Sequence, residues 1–491
     1  MDYALLLDRF SHTREVAGWP RQRLLHECLR HAIRSAQLAP GTRLLASRAL
    51  AAELGIARNS VLYAYDQLAT EGYIRPDRRG TVVLPLGPAV GGERGAPLLA
   101  ASLSRRAAAL GAMAPPAGVT GAFAPGVPAL AEFPVTLWRR MLERGWRAAL
   151  AMEATGALNY GDPAGQPQLR AALADYLRAA RGADCTMEQL FITGGTQASL
   201  DLCARAFADQ GDKAWIENPG YSGALAALRG AQLTTIGIGT DTHGINPGRA
   251  DWRRHCPKLI YTTPSHQYPT GSVLSLERRL ALMAGARSAG ALIIEDDYDS
   301  EFRHDGPPLP AMQGLAPDAP VVYLGTFSKT MFPGLRIGFM VVPAALAAPL
   351  RALLARSAPC GRAAEQLALA QFVRDGQFAL HLRRMRRLYR QRRDALVAAL
   401  EIHMGALGAV HGGSAGMHLA FQLNDAGLDD RAISAAAAQR GLVAPALSEH
   451  ATGPRANGWN GFLLGYAQVP AERIDALVAI LAEVVRQYAG R

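Results

Sequence analysis

Residues Tyr323-Leu-Gly-Thr-Phe-Ser-Lys329 put a lysine just past a short apolar run, Val321-Val-Tyr-Leu-Gly, with Thr326 and Ser328 as hydroxyl neighbours. Arg336 follows seven residues on, after Pro333-Gly334. The lysine is conspicuous because the chain hardly uses that residue: of 52 basic residues, all but Lys213, Lys258 and Lys329 are arginine. A guanidinium stays protonated, whereas a lysine amine can lose its proton and attack a carbonyl, so each of the three is a candidate for Schiff-base chemistry. Alone, a lysine after a strand reads as a solvated side chain. The rest of the sequence has to decide.

Three further motifs follow apolar runs. Ile294-Glu-Asp-Asp-Tyr-Asp-Ser-Glu301 sets carboxylates and a tyrosine at the end of one run. Thr193-Gly-Gly-Thr-Gln197 is a glycine-rich strand-to-helix turn, and Glu217-Asn-Pro-Gly-Tyr221 brings an aromatic ring after a tight turn. The runs themselves (Leu190-Phe-Ile-Thr, Ala214-Trp-Ile-Glu, Leu259-Ile-Tyr-Thr, Ala291-Leu-Ile-Ile-Glu and Val321-Val-Tyr-Leu-Gly) are continuous rather than alternating. That pattern suits strands buried on both faces of a mostly parallel α/β sheet. The chemistry of the set fits pyridoxal 5'-phosphate (PLP). A lysine amine takes its aldehyde, a carboxylate keeps its pyridine nitrogen protonated, a tyrosine hydroxyl holds its phenolate oxygen, and hydroxyls, an arginine and a helix N-terminus take its phosphate.

Ahead of this region, residues 20–83 read as a compact helical unit ending in a hairpin. Leu24, Leu25, Cys28, Leu29, Ala32 and Ile33 recur at helical spacing, and Pro40-Gly41 breaks the chain. Ser47 is expected to cap a short helix over Arg48–Leu54 that Gly55 ends; Asn59 or Ser60 is expected to cap another that runs to about Glu71. Two short helices around a glycine turn make a helix-turn-helix, and the second begins Arg58-Asn59-Ser60, suited to a major groove. Tyr73–Val83 reads as two strands with Arg78, Arg79 and Gly80 at the tip, suited to phosphate or a minor groove. A small helical domain that binds protein is the alternative at this point.

The bulk numbers agree with a globular protein of two or three domains: 491 residues, 49% hydrophobic and 19% charged. Net charge is +11, compatible with nucleic acid but no proof of it. No run of about 18 apolar residues suggests a membrane span. The start has no basic region ahead of an adequate apolar run, so no signal peptide is expected. Cys28, Cys185, Cys203, Cys256 and Cys360 are scattered without metal-ligand spacing, as for reduced thiols in a cytoplasm. The arginine-rich stretch 383–393 reads as a solvated helix face in preference to a DNA-backbone contact.

Pro40-Gly-Thr-Arg-Leu-Leu-Ala-Ser-Arg-Ala-Leu-Ala-Ala-Glu-Leu-Gly-Ile-Ala-Arg-Asn-Ser-Val61, followed by Ala64-Tyr-Asp-Gln-Leu-Ala-Thr-Glu-Gly-Tyr-Ile74, closely resembles the GntR-type winged helix. The resemblance places Arg48, Arg58, Asn59, Ser60 and wing Gly80 on DNA-contacting positions; the wing here reads Arg78-Arg79-Gly80-Thr81 where relatives often have Gly-Ser-Gly-Thr. Residues 122–491 resemble the fold-type I aminotransferases, an α/β PLP-dependent fold with a smaller α+β C-terminal subdomain. Together the two parts are similar to the MocR/GabR branch of the GntR regulators, with residues 1–83 as the DNA-binding domain and the Ala/Gly/Pro-rich stretch 84–121 as a linker. The resemblance assigns Lys329 to the Schiff base, Asp296 to the pyridine nitrogen, Tyr298 to the phenolate oxygen and Tyr221 to the ring. Gly195, Thr196, Gln197, Thr326, Ser328 and Arg336 would hold the phosphate. Tyr160 matches a tyrosine that reaches the phosphate of the neighbouring subunit, which implies a homodimer.

Two departures bear on function. Tyr268-Pro-Thr-Gly271, preceded by Ser265-His-Gln267, stands where aminotransferases carry Asn before Pro-Thr-Gly. Leu463, in Gly461-Phe-Leu-Leu-Gly-Tyr466, stands where a substrate-carboxylate arginine is expected, and Gly223 where γ-aminobutyrate-sensing relatives carry a second one. Both losses speak against a working aminotransferase and for a PLP-dependent regulator of an operator on double-stranded DNA. Its effector would be PLP itself, as in regulators of PLP synthesis or salvage in this branch, or else an amine or amino acid that Arg455 could help to bind. Replacing Arg58 with Ala is expected to weaken operator binding by about 1–3 kcal/mol; a gel-shift titration in which the variant matches the wild type would remove Arg58 from the recognition helix.

Overall fold

Helix α2 (Arg21–Arg34) organises the N-terminal part, burying Leu25, Leu29, Ala32 and Ile33 along one stripe against Leu50, Val61, Ala64 and Leu68. In the computed structural model, which describes all residues except 13–15, 17, 87–102, 114–120, 152–158, 308, 358–360, 453–457 and 491, the chain divides into two units, Met1–Ser102 and Leu103–Arg491. The first unit also contains α1 (Tyr3–His12), α3 (Ser47–Leu54) and α4 (Arg58–Thr70). Strands β1 (Arg43–Leu44), β2 (Ile74–Asp77) and β3 (Gly80–Val83) form an antiparallel sheet in the order β1-β3-β2. Helix α1 was not anticipated, yet it buries Tyr3, Leu7 and Phe10 on a single face.

Gly55 ends α3 in the left-handed region at φ 61°, as expected. The expected caps are not formed. Ala46 and Ala57 occupy the cap positions of α3 and α4, and neither helix start has a side-chain cap hydrogen bond. Ser47, Asn59 and Ser60 lie within the first turns instead, and the Ser47 Oγ sits 3.4 Å from the Arg58 Nε.

The second unit is built on eight strands: β4 (Leu190–Thr193), β5 (Lys213–Asn218), β6 (Thr234–Asp241), β7 (Gly244–Ile245), β8 (Leu259–Thr262), β9 (Leu292–Asp297), β10 (Val321–Thr326) and β11 (Gly338–Val341). Their order is β4-β11-β10-β9-β8-β5-β6-β7. From β10 to β6 all neighbours are parallel; β11 runs antiparallel to both its neighbours and β7 to β6. All five apolar runs are strands. Successive residues serve opposite faces: Ala214, Ile216, Leu259, Tyr261, Ile294, Val322 and Leu324 pack under the helices Thr196–Phe207 and Ser222–Gly230, while Trp215, Ile260, Ile293 and Val321 pack with the helix Leu276–Ala289. A strand with two apolar faces cannot alternate in sequence. Strand β6 escaped the reading because its Thr-Thr-Ile-Gly-Ile-Gly-Thr-Asp is only partly buried.

Toward the C-terminus, β12 (Gly408–His411), β13 (His418–Leu423) and β14 (Gly461–Gly465) form a separate antiparallel sheet. Helices Gln377–Met404, Asp430–Gln439 and Ala471–Ala489 accompany it, which gives the smaller α+β subdomain. The arginine stretch lies on the first of these helices and is less solvated than expected. Arg386, Arg390 and Arg393 donate to the carbonyls of Glu301, His304 and Gly413, each at 2.6 Å, and the buried Arg392 donates to that of Ala467. These guanidinium groups tie loops to the helix. Within the 84–121 stretch, Arg105–Gly111 is a helix capped by Ser104, whose hydroxyl accepts from the Ala107 amide at 3.2 Å. No helix among the described residues is long and apolar enough to cross a membrane.

Because Leu29 is fully buried at the centre of the first unit, Leu29→Ala is expected to destabilise that unit by about 2–5 kcal/mol. Amide hydrogen exchange across α2 and α4 would report the loss.

Candidate functional site

Each chemical motif follows the C-terminal end of a strand, so the sheet gathers them along one edge. This is where open α/β sheets bind ligands. Lys329 lies three residues beyond β10, Tyr298 follows β9, Gly195 follows β4 and Tyr221 follows β5. Lys213 donates to the Arg254 carbonyl at 3.0 Å and Lys258 is exposed, so of the three lysines only Lys329 stands among the other motifs.

The Lys329 Nζ donates to the Gly126 carbonyl at 2.9 Å. Gly126 has φ +70°, and a Cβ there would lie 2.7 Å from that nitrogen, so only glycine lets the amine stand at this spot. Burial lowers the Lys329 pKa, against the opposing pull of Asp299 and Asp296, which favours a neutral, nucleophilic amine. Gly126 gave no signal in the sequence, since it lies some two hundred residues from the lysine.

Strand alternation selects among the three carboxylates that end β9. Glu295 accepts from the amides of Met312 and Gln313 at 2.9 and 3.1 Å. Asp297 pairs with Arg181 at 2.6 Å and accepts from the Tyr323 hydroxyl at 2.6 Å. Asp296 points to the opposite face, where its Oδ2 accepts from the Tyr261 hydroxyl at 2.8 Å. Its Oδ1 is buried and has no partner. Burial raises the Asp296 carboxyl to about 7, with the Tyr261 hydrogen bond working the other way. Tyr261, inside the apolar run of β8, was read only as a strand residue.

Gly195 precedes the helix Thr196–Phe207 with φ +101°. A Cβ on it would come within 3.6 Å of the Arg336 guanidinium, so the arginine lies against the amides of this turn. Arg336 is itself held in the left-handed region at φ 49°. Thr326 Oγ1 accepts from the Ser328 amide at 3.2 Å. Gln197 is turned aside, its amide donating to the Gly223 carbonyl at 2.9 Å. A Cβ on Gly223 would sit 2.5 Å from the Tyr221 ring and 2.6 Å from Gln197 Oε1, so a side chain there would displace both.

Three tyrosines pack together. Tyr221 and Tyr268 meet edge to face at 5.5 Å, and Tyr268 and Tyr298 at 6.2 Å. The Tyr298 hydroxyl donates to the His266 carbonyl at 2.9 Å, and His266 Nδ1 lies 3.1 Å from Asp299. The Gln267 amide donates to the carbonyls of Pro219 and Tyr268 and to the buried Glu217. Leu463 is buried with Ala420 and Leu447 in an apolar cluster against which Tyr268 and Trp459 pack. Arg455 lies outside the described residues. Tyr160 is 88% exposed and stands clear of its own chain.

In the first unit, Arg48, Arg58, Asn59 and Gly80 are exposed and Ser60 is half-buried. The wing tip is shaped by Asp77, which pairs with Arg43 at 3.1 Å and accepts from the Arg79 amide at 2.6 Å. Gly80 follows at φ +127°, leaving Arg78 and Arg79 outermost. Replacing Gly126 with Ala is expected to slow or weaken capture of PLP by the metal-free, cofactor-free protein about tenfold, the equivalent of 1.4 kcal/mol; visible absorbance on titration checks it.

Comparison with known proteins follows the same division. Residues 22–83 match the family described as bacterial regulatory proteins, gntR family, and residues 132–479 match aminotransferase class I and II. The chain is 39% identical over 474 residues to a probable rhizopine catabolism regulatory protein, MocR, of Rhizobium meliloti, covering 95% of this chain and 92% of that one. It is 34% identical to the pyridoxine biosynthesis transcriptional regulator PdxR of Corynebacterium glutamicum, covering 94% of each. Among solved structures, the kynurenine aminotransferase of Pyrococcus horikoshii, crystallised with PMP, superposes with a TM-score of 0.67 at 27% identity, over 75% of this chain and 91% of that one. An α-aminoadipate aminotransferase of Thermus thermophilus, complexed with N-(5'-phosphopyridoxyl)-L-leucine, also gives 0.67 at 27%, over 76% and 93%. With a gntR-type helix-turn-helix ahead of an aminotransferase fold, and relatives of the same two-part build over nearly its whole length, the chain belongs to the MocR/GabR branch of the GntR family of transcription regulators.

Proposed function

We propose that this regulator holds PLP at Lys329 and that the state of this site alters how the winged helix-turn-helix binds its operator. The observation that carries the reading is the buried, unpartnered Oδ1 of Asp296. Leaving such an oxygen without a donor costs about 1–3 kcal/mol, more when it is charged. A protonated pyridine nitrogen is a donor that would remove the cost and return the carboxyl to its anionic form. The other residues fit the same group. Arg336, the Gly195 turn with Thr196 and Gln197, Thr326 and Ser328 would take the phosphate, Tyr221 would stack on the ring, and Tyr298 would turn its hydroxyl from the His266 carbonyl to the phenolate oxygen. PLP, when bound, supplies an electrophilic carbon and an electron-withdrawing ring. Tyr160, exposed on its loop, would complete the phosphate site of a second copy in a homodimer. Arg48, Arg58, Asn59, Ser60 and Gly80 would contact DNA, with residues 1–83 as the head and 84–121 as the tether.

Two readings of the effector follow. PLP itself suits a site that keeps the cofactor contacts while Leu463 and Gly223 replace the carboxylate-binding arginines; the likeness to a pyridoxine biosynthesis regulator supports it. An amine acting on the PLP-loaded protein is favoured by unpaired histidine nitrogens near Lys329. Either would act by preferring one of two conformations. Operator affinity is expected to change when PLP is added to apo-protein, or when an amine is added to the loaded protein, and Lys329→Ala is expected to abolish both responses and the visible band while keeping the fold. Borohydride labelling of Lys213 or Lys258, or an unchanged response in Lys329→Ala, would overturn the assignment.

A further inference from the structure

We infer that the second unit binds a hydroxylated primary amine without a carboxylate, and that His418 and His450 read its hydroxyl groups. The inference rests on the proposed seat of PLP at Lys329, since a site built around a lysine-held aldehyde takes amines.

His418, the first residue of β13, is 1% exposed. Its ring bonds the Pro269 carbonyl and lies close enough to Lys329 to feel its charge. It is coplanar with the Tyr298 ring within 8° at 6.4 Å and meets Tyr268 edge to face at 5.5 Å. Its Nε2 is buried without a partner. The bond to a carbonyl fixes the proton on the other nitrogen, so Nε2 presents a lone pair that wants a donor.

His450 closes the short turn Leu447–His450 and packs perpendicular to the same Tyr268 ring at 5.1 Å. Both of its ring nitrogens are buried and unpartnered. Burial lowers its pKa to about 4, so near neutral pH the ring offers one donor and one acceptor. A hydroxyl group donates and accepts, and so matches it. His266 does not belong to this pair: its Nδ1 faces Asp299, and a Cβ on Gly271 would lie 3.1 Å from its Nε2, so that edge is closed by backbone.

Among the described residues, neither position where the resemblance asks for a carboxylate-binding arginine holds one. One position where the resemblance asks for an arginine is Leu463, inside an apolar cluster that shares Tyr268 with the histidines. The other is Gly223, where any side chain would strike Tyr221. Two neutral imidazoles cannot offset a buried negative charge. The loop that carries His450 is held in place beside the turn that leads to Tyr221. That loop is docked by the Gly220 amide on the His450 carbonyl at 2.9 Å, by Thr452 Oγ1 on the Glu217 carbonyl at 2.7 Å and by the Thr452 amide on Asn218 at 3.0 Å.

The test uses the PLP-loaded full-length protein and three probes matched in size: 3-amino-1,2-propanediol, isoserine, which replaces one hydroxymethyl group by a carboxylate, and propylamine, which has no hydroxyl. Calorimetry is expected to give the aminodiol at least about tenfold tighter binding than either other probe, and operator affinity is expected to shift with it alone. His450→Phe and His418→Leu are each expected to bring the aminodiol down to the level of propylamine while the visible band persists; if one variant does not fold, the other decides. Isoserine binding as tightly as the aminodiol, no binding of the aminodiol at millimolar concentration, or a preference that survives the histidine substitutions overturns the inference. A wild-type protein without a visible band overturns the PLP assignment instead.

Discussion

Trp215, Ile260, Ile293 and Val321 cover one face of the large sheet while Ile216, Tyr261, Ile294 and Leu324 cover the other, and this double burial governs everything else in the second unit. With both faces sealed by helices, polar side chains on the inner strands can reach a ligand only where the strands stop. Parallel neighbours stop on the same side. The lysine after β10, the carboxylate ending β9, the glycine turn after β4 and the tyrosine after β5 therefore converge without any of them being near another in sequence. Polar residues left deeper in the sheet are held in closed sets, as Glu217 is by Thr262, Thr263 and Gln267.

The same constraint separates structural polar groups from available ones. Glu295, Asp297, Arg181, Gln267 and His266 are all charged or polar, all buried and all close to the site, yet each is engaged with partners that keep it where it is. Buried atoms left without a partner include Asp296 Oδ1, His418 Nε2 and both nitrogens of His450, and also Asp297 Oδ1 and His266 Nε2 on side chains that are held through their other atom. Buried polar atoms without partners are rare in folded proteins; others occur away from the site, as at Gln168 Oε1 and Gln313 Oε1, but Asp296 and His418 lie close enough to Lys329 for their charges to interact. Glycine supports the arrangement from behind: Gly126 makes room for the lysine amine, and Gly195 lets the Arg336 guanidinium lie against a helix start.

In the first unit a small core positions an exposed surface. Leu29, Leu50, Val61 and Leu68 are fully buried, which fixes α3 and α4 against α2 and leaves Arg48, Arg58 and Asn59 outward. The missing side-chain caps belong to the same picture. Ser47, Asn59 and Ser60 form no cap hydrogen bonds at the helix starts, and the Ser47 hydroxyl instead accepts from Arg58.

The sequence by itself determined the two-part build, five strands of the large sheet, the helix-turn-helix with its wing and Lys329 as the lysine that stands among the other motifs, because each is a local signal: periodicity, a continuous apolar run, a glycine stop or a motif of a few residues. Among the three adjacent carboxylates, the motif alone did not choose; the resemblance pointed to Asp296, and the folded sheet supplies the reason, since strand alternation sends Asp296 to one face and Glu295 and Asp297 to the other. Tertiary structure alone decided that Gly126 meets Lys329, that Tyr261 meets Asp296, and that His418 and His450 pack on Tyr268. Gly126, Tyr261, His418 and His450 stand in no motif. They meet their partners through sheet order and the packing of the small subdomain, and contact between distant segments leaves no periodic trace in the sequence.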